Sequence, residues 1–470
     1  MRRAALVAFV CCSIAARLPA QQSRIGAEFE HEGTDFDMAC LHATGSLFSA
    51  VPGCLQLFFT DSPLHIAVGS LAPQNGFGVG PALSLHYTPN ENWRLFWDFD
   101  AVATPNLSWR AGGYMTAVLI RHPKLVVLSG AAASKRRSGP VIEEMPVFHL
   151  YAQSISLNKL TYFGLGPESA ASGQSFYGMR ETITGVNAVV PVNAPVFAPL
   201  GLSLFAEANG RAVALRGDQG ETSPSIGALY TNATAPGLDH QPVYAQFGQG
   251  IRMGPSFANG HVRLNYSLAF QEWIGGSSSS FRRFNMDLTH TFPLYSGMRS
   301  LSPREFNGPD SCLQDVNATK CPAITRNLEG SFAIRFLYTA SFVPAGNTVP
   351  FYFDPTLGGS DINGNTLLGS YADYRFRGPD LMLLRGSFEH SIYKWPVGVK
   401  FMVDEGRVAL TPGDLGSGHL AHSYAAGLTL HAGGLPLVDL LFAWGGDQGI
   451  HTIANVSNSL LGGASRPSLF

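Results

Sequence analysis

The chain has 470 residues, a formal net charge of −2, 52 glycines, 11% aromatic residues and only 14% charged residues. An average soluble domain carries roughly 25% charged residues, so this chain has little material for a water-facing surface. With no basic surplus, nothing points to a nucleic-acid partner. The length suits two or three ordinary domains or one large β-structure, and the glycine and aromatic content favours the second.

In chain order, Arg2 and Arg3 precede the apolar run Ala4 to Ala16 and the small-residue site Leu18-Pro19-Ala20. This is the pattern of a secretory signal, so residues 1–20 are expected to direct export and to be removed, taking Cys11 and Cys12 with them. Residues 21–62 are irregular and read as a short periplasmic or lumen-plugging lead-in. The remaining cysteines are Cys40, Cys54, Cys312 and Cys321, an even number in an exported chain. Two local disulfides, Cys40 with Cys54 and Cys312 with Cys321, are expected in preference to a zinc site, because neither pair has CxxC spacing. After the signal no run approaches the roughly 18 consecutive apolar residues a membrane helix needs. A membrane protein without such helices must be a closed barrel.

From Gly76 onward the alternation of apolar and polar residues has period two, the signature of strands with one greasy and one polar face. Trp93, Leu95, Trp97, Phe99 and Ala101 oppose Arg94, Phe96, Asp98 and Asp100. Leu264, Tyr266, Leu268 and Phe270 oppose Arg263, Asn265 and Ser267. Phe284, Met286 and Leu288 oppose Arg283, Asn285 and Asp287, and Phe332, Ile334 and Phe336 oppose Ser331 and Arg335. Met382, Leu384, Phe388 and Ile392 oppose Arg385, Ser387, Glu389 and Ser391. After the short turn Tyr393-Lys394-Trp395-Pro396, Val399, Phe401 and Val403 oppose Lys400, Met402 and Asp404. Tyr424, Ala426, Leu428 and Leu430 repeat the pattern. These runs approach the ten or so residues of a tilted membrane strand, whereas soluble strands average nearer five or six. The fold expected is all-β, a transmembrane antiparallel barrel over residues 63–470, with its first strand beginning between Pro63 and Gly80 and its last near Ile450 to Leu460. Pro467 removes a ladder donor, so Gly462 to Phe470 reads as a tail.

No compact constellation suggests an enzyme. Fourteen histidines are scattered without HExxH or GxSxG, and Gly76-Phe77-Gly78-Val79-Gly80 lacks the helix a phosphate loop needs. No cofactor or metal is expected.

Three motifs then carry a resemblance. Phe401-Met402-Val403-Asp404-Glu405-Gly406 has the form Phe-x-x-Asp-x-Gly, Leu367-Leu368-Gly369-Ser370-Tyr371 lies in a Gly-rich segment before it, and Tyr162-Phe163-Gly164-Leu165-Gly166-Pro167 contains Phe-Gly-Leu-Gly. Together they resemble the bacterial surface antigen superfamily, the BamA/TamA-type and two-partner-secretion barrels of the bacterial outer membrane. The resemblance implies sixteen strands and a long loop folded into the lumen, with Gly369, Tyr371, Phe401, Asp404 and Gly406 as motif residues there. In that family the loop carries an arginine that pairs with the aspartate corresponding to Asp404. Here Leu368 stands in its place, and Arg375 and Arg377 are the expected substitutes. Family members also carry POTRA modules that gather clients, and residues 21–62 are too short for one. The resemblance thus implies a barrel-only member that contacts outer-membrane lipid, translocates or inserts protein or lipid, and depends on a periplasmic partner for client recruitment. A passive pore and a barrel phospholipase are the alternatives. The loop Ser296 to Asn327, with Cys312 and Cys321, is assigned to the cell exterior.

Overall fold

The computed structural model describes the chain from Leu64 to Val456, apart from 121–144, 193–195, 198–199, 218–223, 258–260, 277, 301–324, 393–396, 433–434 and 447, together with residue 467. The expected signal and lead-in, the cysteines and all of the expected C-terminal tail but Pro467 lie outside the described residues.

Among the described residues sixteen strands form one antiparallel sheet. They are β1 (Leu64–Ser70), β2 (Phe77–Asn90), β3 (Trp93–Ala103), β4 (Trp109–Leu119), β5 (Val147–Tyr162), β6 (Ser175–Pro191), β7 (Ser203–Gly217) and β8 (Val243–Met253). The second half comprises β9 (Val262–Ile274), β10 (Phe281–Ser300), β11 (Thr325–Phe342), β12 (Asp380–Ser391), β13 (Val397–Ala409), β14 (Ala421–Ala432), β15 (Leu435–Trp444) and β16 (His451–Val456). Ser256–Phe257 prolongs β8 against the same partner, β9. Every strand pairs with its neighbour in sequence, the up-and-down order of outer-membrane barrels. Among the described residues no ladder joins β1 to β16. The two ends nevertheless face a common segment, because a cavity of about 910 Å³ is lined by Ser70 and Phe77 from one end, His451 and Ile453 from the other, and Tyr371 between them.

The distribution of polarity is the reverse of a soluble protein's. On β13, Phe401 is 51% and Val403 44% exposed, whereas Asp404 between β12 and β14 is 2% exposed. Phe99, Phe270, Ile334, Leu384, Leu428 and Phe442 also stand on the outward face. Charges turn inward and pair there, Arg110 with Asp100 at 3.0 Å, Arg211 with Glu181 at 2.8 Å, Arg335 with Asp287 at 2.7 Å and Lys400 with Asp439 at 2.7 Å, while Arg282 and Glu272, near the strand ends, pair on the exposed face. A sheet that exposes aliphatic and aromatic side chains while enclosing ion pairs suits hydrocarbon outside and a polar lumen within. Phe401, expected in the lumen with its motif, is therefore on the outer face. Alternation dictates this, since Asp404, three residues on, must point the opposite way.

Strand parity also corrects the assignment of the two ends. Ten strands separate the start of β1 from the connection between Ser300 and Thr325, so the chain is back at the end from which it entered. A periplasmic lead-in and an exterior Ser296 to Asn327 loop cannot both hold. The connection from β11 to β12, residues 343–379, leaves from the opposite end.

Candidate functional site

Residues 343–379 fold back inside the curled sheet. The segment begins with a single turn, Phe351–Phe353, whose three rings are fully buried. Phe351 meets Tyr162 of β5 at 5.0 Å and Tyr177 of β6 at 5.3 Å between ring centres, and Phe353 meets Tyr244 of β8 at 4.9 Å and Trp273 of β9 at 4.6 Å. Such aromatic pairs contribute about 0.5–1.5 kcal/mol each beyond the area they bury. The loop then pairs with itself, Thr356 opposite Arg377 and Leu357 opposite Phe376, which makes it a compact hairpin.

Its tip is fixed to β12 and β13 by Asp404. Arg385 lies directly across from Asp404 in the ladder and grips it with two hydrogen bonds, Nε to Oδ1 at 2.6 Å and Nη2 to Oδ2 at 2.7 Å. Asp404 Oδ2 also accepts the backbone N–H of Leu368 at 3.0 Å, and Arg385 Nη2 donates to the carbonyl of Thr366 at 2.6 Å. The wall pair thus presents one acceptor and one donor to the loop's own backbone. This corrects the expected pairing of Asp404 with Arg375 or Arg377. Leu368, expected in place of an arginine, contributes its amide to Asp404 and its fully buried side chain to a cluster with Leu357, Leu381, Leu383 and Val408. Presenting that amide places Leu368 at φ +54°, a left-handed conformation that costs a residue with a Cβ roughly 1–2 kcal/mol.

Arg375 and Arg377 hold the loop to a different place. Arg377 Nη1 donates to the carbonyl of Phe351 at 2.8 Å, while its own carbonyl accepts the N–H of Gly166 at 2.7 Å. Arg375 donates to Ser169 Oγ at 3.0 Å and to Ser169 O at 2.6 Å, with its guanidinium over the rings of Phe163 and Phe376. The Phe-Gly-Leu-Gly turn after β5 is therefore the second anchor of the loop. Gly166 takes φ +87° there, which a side chain would oppose.

The motif glycines mark close approaches. At Gly406 a Cβ would lie 3.1 Å from Leu357 Cδ1 and 2.9 Å from the carbonyl of Met382, so the bare backbone of β13 leaves room for the loop. At Gly369 a Cβ would collide with Ile453 of β16 and approach Ala443 of β15 to 3.3 Å. Ser370 N–H donates to Ser423 Oγ at 2.9 Å, Ala372 N–H to Gln448 Oε1 at 2.7 Å, and Tyr371 is buried with its ring edge-on to Phe376. On the far side Tyr374 Oη donates to Pro73 O at 3.3 Å. The loop consequently touches wall or turn residues from both halves of the sheet. Between it and β9 to β12 remains a cavity of about 430 Å³, lined by Asn285, Arg335, Asp354, Asp361, Tyr374 and Arg377 among others.

Of the expected residues, Gly369, Tyr371, Asp404 and Gly406 gather at one contact between loop and wall, Arg375 and Arg377 at the second, and Phe401 at neither. The periodic reading placed Arg385 only on a polar face, and it assigned no role to Phe351–Phe353, Arg283 or Asp354.

No family model matches this sequence, and no curated protein does. Among solved structures, the chain is similar to CdiB from Acinetobacter baumannii (11% identity, TM-score 0.45) over 83% of this chain and 57% of that one. CdiB from Escherichia coli gives 11% identity and a TM-score of 0.46 over 82% and 58%. BamA from Haemophilus ducreyi lacking POTRA domains 1–3 gives 11% identity and 0.44 over 83% and 69%. The chain spans under three-fifths of the length of the two CdiB chains it matches.

Proposed function

We propose that this protein is an outer-membrane barrel that passes or inserts protein or lipid, and that the loop of residues 343–379 acts as its lumenal plug. One observation carries the reading. The loop lies inside the curled sheet and is fastened at two separate places, the Arg385–Asp404 pair and the turn at Gly166, so the lumen is occupied by a segment with its own anchoring chemistry. A loop fastened in the lumen narrows the path for free diffusion, whereas a barrel that must admit a client without leaking benefits from an element that can leave. The motif resemblance supports the same reading. Outer-membrane lipid contacts the apolar face, and a separate periplasmic protein brings clients to the barrel.

Two experiments test this. Cross-linking in intact outer membranes followed by co-purification should recover a periplasmic protein and captured clients. Single-channel recording should show a small, fluctuating conductance that becomes large and steady when residues 356–377 are deleted. A large, steady conductance in the intact protein, with nothing recovered by cross-linking, would instead establish a passive pore, the reading that the cavities of about 430 and 910 Å³ beside the loop support. Hydrolysis of phospholipid by the purified barrel would establish the lipase alternative.

A further inference from the structure

The inner end of the loop carries a carboxylate that neither anchor uses. Asp354 follows the aromatic turn and is 2% exposed. Both of its carboxylate oxygens are out of reach of water, and neither has a hydrogen-bond partner among the described residues. Its charged neighbours are Arg283 of β10, Arg377 of the loop's returning strand and Asp380 at the head of β12. Tyr162 of β5 also faces it, with Tyr177 of β6 beside Arg377 and Arg211 of β7 behind Arg283. Asp361 and the Asp287–Arg335 pair lie further round the adjoining cavity.

These neighbours supply charge without hydrogen bonds to Asp354. Arg283 donates to the carbonyl of Phe353 at 2.9 Å and to Ser341 Oγ at 3.2 Å. Arg377 donates to Phe351 O and approaches Tyr177 Oη at 3.5 Å. Asp380 accepts the N–H of Ser341 at 2.7 Å. An ionised carboxylate removed from water and given no donor bears a large desolvation cost, while its neutral acid bears much less. Asp361 and Asp373, the other acids of the loop, differ: Asp361 accepts the N–H groups of Asn363 and Asn365, and Asp373 that of Ser360.

We propose that Asp354 is a proton-operated latch: the loop docks with this carboxyl protonated, and loss of the proton loosens its inner end. Burial drives the carboxyl well above the ordinary carboxylate range, with Arg283 and Arg377 acting in the opposite direction. In the released loop the side chain is in water and titrates near its usual value of about 3.9. A docked value above the released one means that proton binding favours docking. The contribution is complete below the released value and is lost as pH rises through the docked value. The plug is therefore tightest in acid and loosens as pH rises. The latch rests on the reading of the loop as a releasable plug and stands whether or not the barrel carries a client.

The test uses the full chain in planar bilayers, recording the fraction of time in the larger conductance from about pH 5 to about pH 9. For one proton the released fraction should rise up to about tenfold per pH unit within the window. Asp354→Asn should hold the conductance low and flat, whereas Asp354→Glu, Asp361→Asn and Asp373→Asn should retain the slope, and Asp380→Asn, which removes a neighbouring negative charge, should shift it toward lower pH. A flat wild-type profile overturns the proposal, as does a slope that survives Asp354→Asn. Should Asp354→Asn fail to insert, the other variants decide: loss of the slope in Asp361→Asn or Asp373→Asn, or an Asp380→Asn slope that does not move toward lower pH, would assign the proton elsewhere.

Discussion

Truncating Asp404 to alanine tests the clamp at the loop tip. The substitution removes two charge-assisted hydrogen bonds from Arg385 and one from the Leu368 amide, at 2.6, 2.7 and 3.0 Å. Breaking a buried ion pair by deleting one partner costs about 3–5 kcal/mol, because the other charge is left uncompensated. The Arg385 side chain is only 14% exposed, so water relieves little of this, and its remaining bond to Thr366 O keeps it in place. The orphaned Leu368 N–H adds roughly 1 kcal/mol, although it shares the same event. Taking about 3 kcal/mol for the whole, the ratio of docked to released loop falls by more than about a hundredfold. Hydrogen exchange of peptides covering Thr366 to Tyr371 should accelerate accordingly, and conductance should become larger and noisier. Arg385→Ala should produce nearly the same change, and the double mutant should be no worse than either single, a coupling of about 2–3 kcal/mol. Asp404→Asn, which keeps an acceptor for both donors, should lose about half as much. Unchanged exchange in Asp404→Ala, or full additivity with Arg385→Ala, would refute the clamp.

Other expectations follow from the same geometry. Gly406→Val should force Leu357 and the Met382 carbonyl apart and destabilise the docked loop by about 1–3 kcal/mol, seen as faster proteolysis between Gly358 and Gly378 at unchanged membrane insertion. Phe401→Ser alters only the outward face, so its lumen conductance should match wild type; a change would place Phe401 in the loop's machinery after all. Thiol-reactive labels on Gly416→Cys and on Gly297→Cys should be accessible from opposite sides of the membrane, since these positions lie at opposite ends of the sheet, and labelling from one side would contradict the strand order. Mass spectrometry of non-reduced protein should find Cys312 joined to Cys321, a small loop whose closure contributes about 2–3 kcal/mol. Free thiols at both would remove that restraint.

Much of this protein is legible without coordinates because a membrane strand is a local object. Alternation of side chains is fixed by the pleat, so a run such as Trp93 to Ala101 declares both its strand character and its two faces, and the lack of charge declares that one face avoids water. Even Arg385 was within reach: folding the chain about the Tyr393 to Pro396 turn sets Ser391 against Gly398, and six residues back along each strand stand Arg385 and Asp404. What alternation could not decide was where a Gly-rich, aperiodic segment goes once it leaves the wall. Its route depends on contacts some two hundred residues apart, Arg377 with Tyr177 and Arg375 with Ser169, which no local pattern records. Nor could sequence show that Leu368 would act through its backbone, since an amide hydrogen bond leaves no mark on residue identity. The wall is written in the period of its side chains, whereas the plug exists only when the curled sheet brings its two anchors to the same loop.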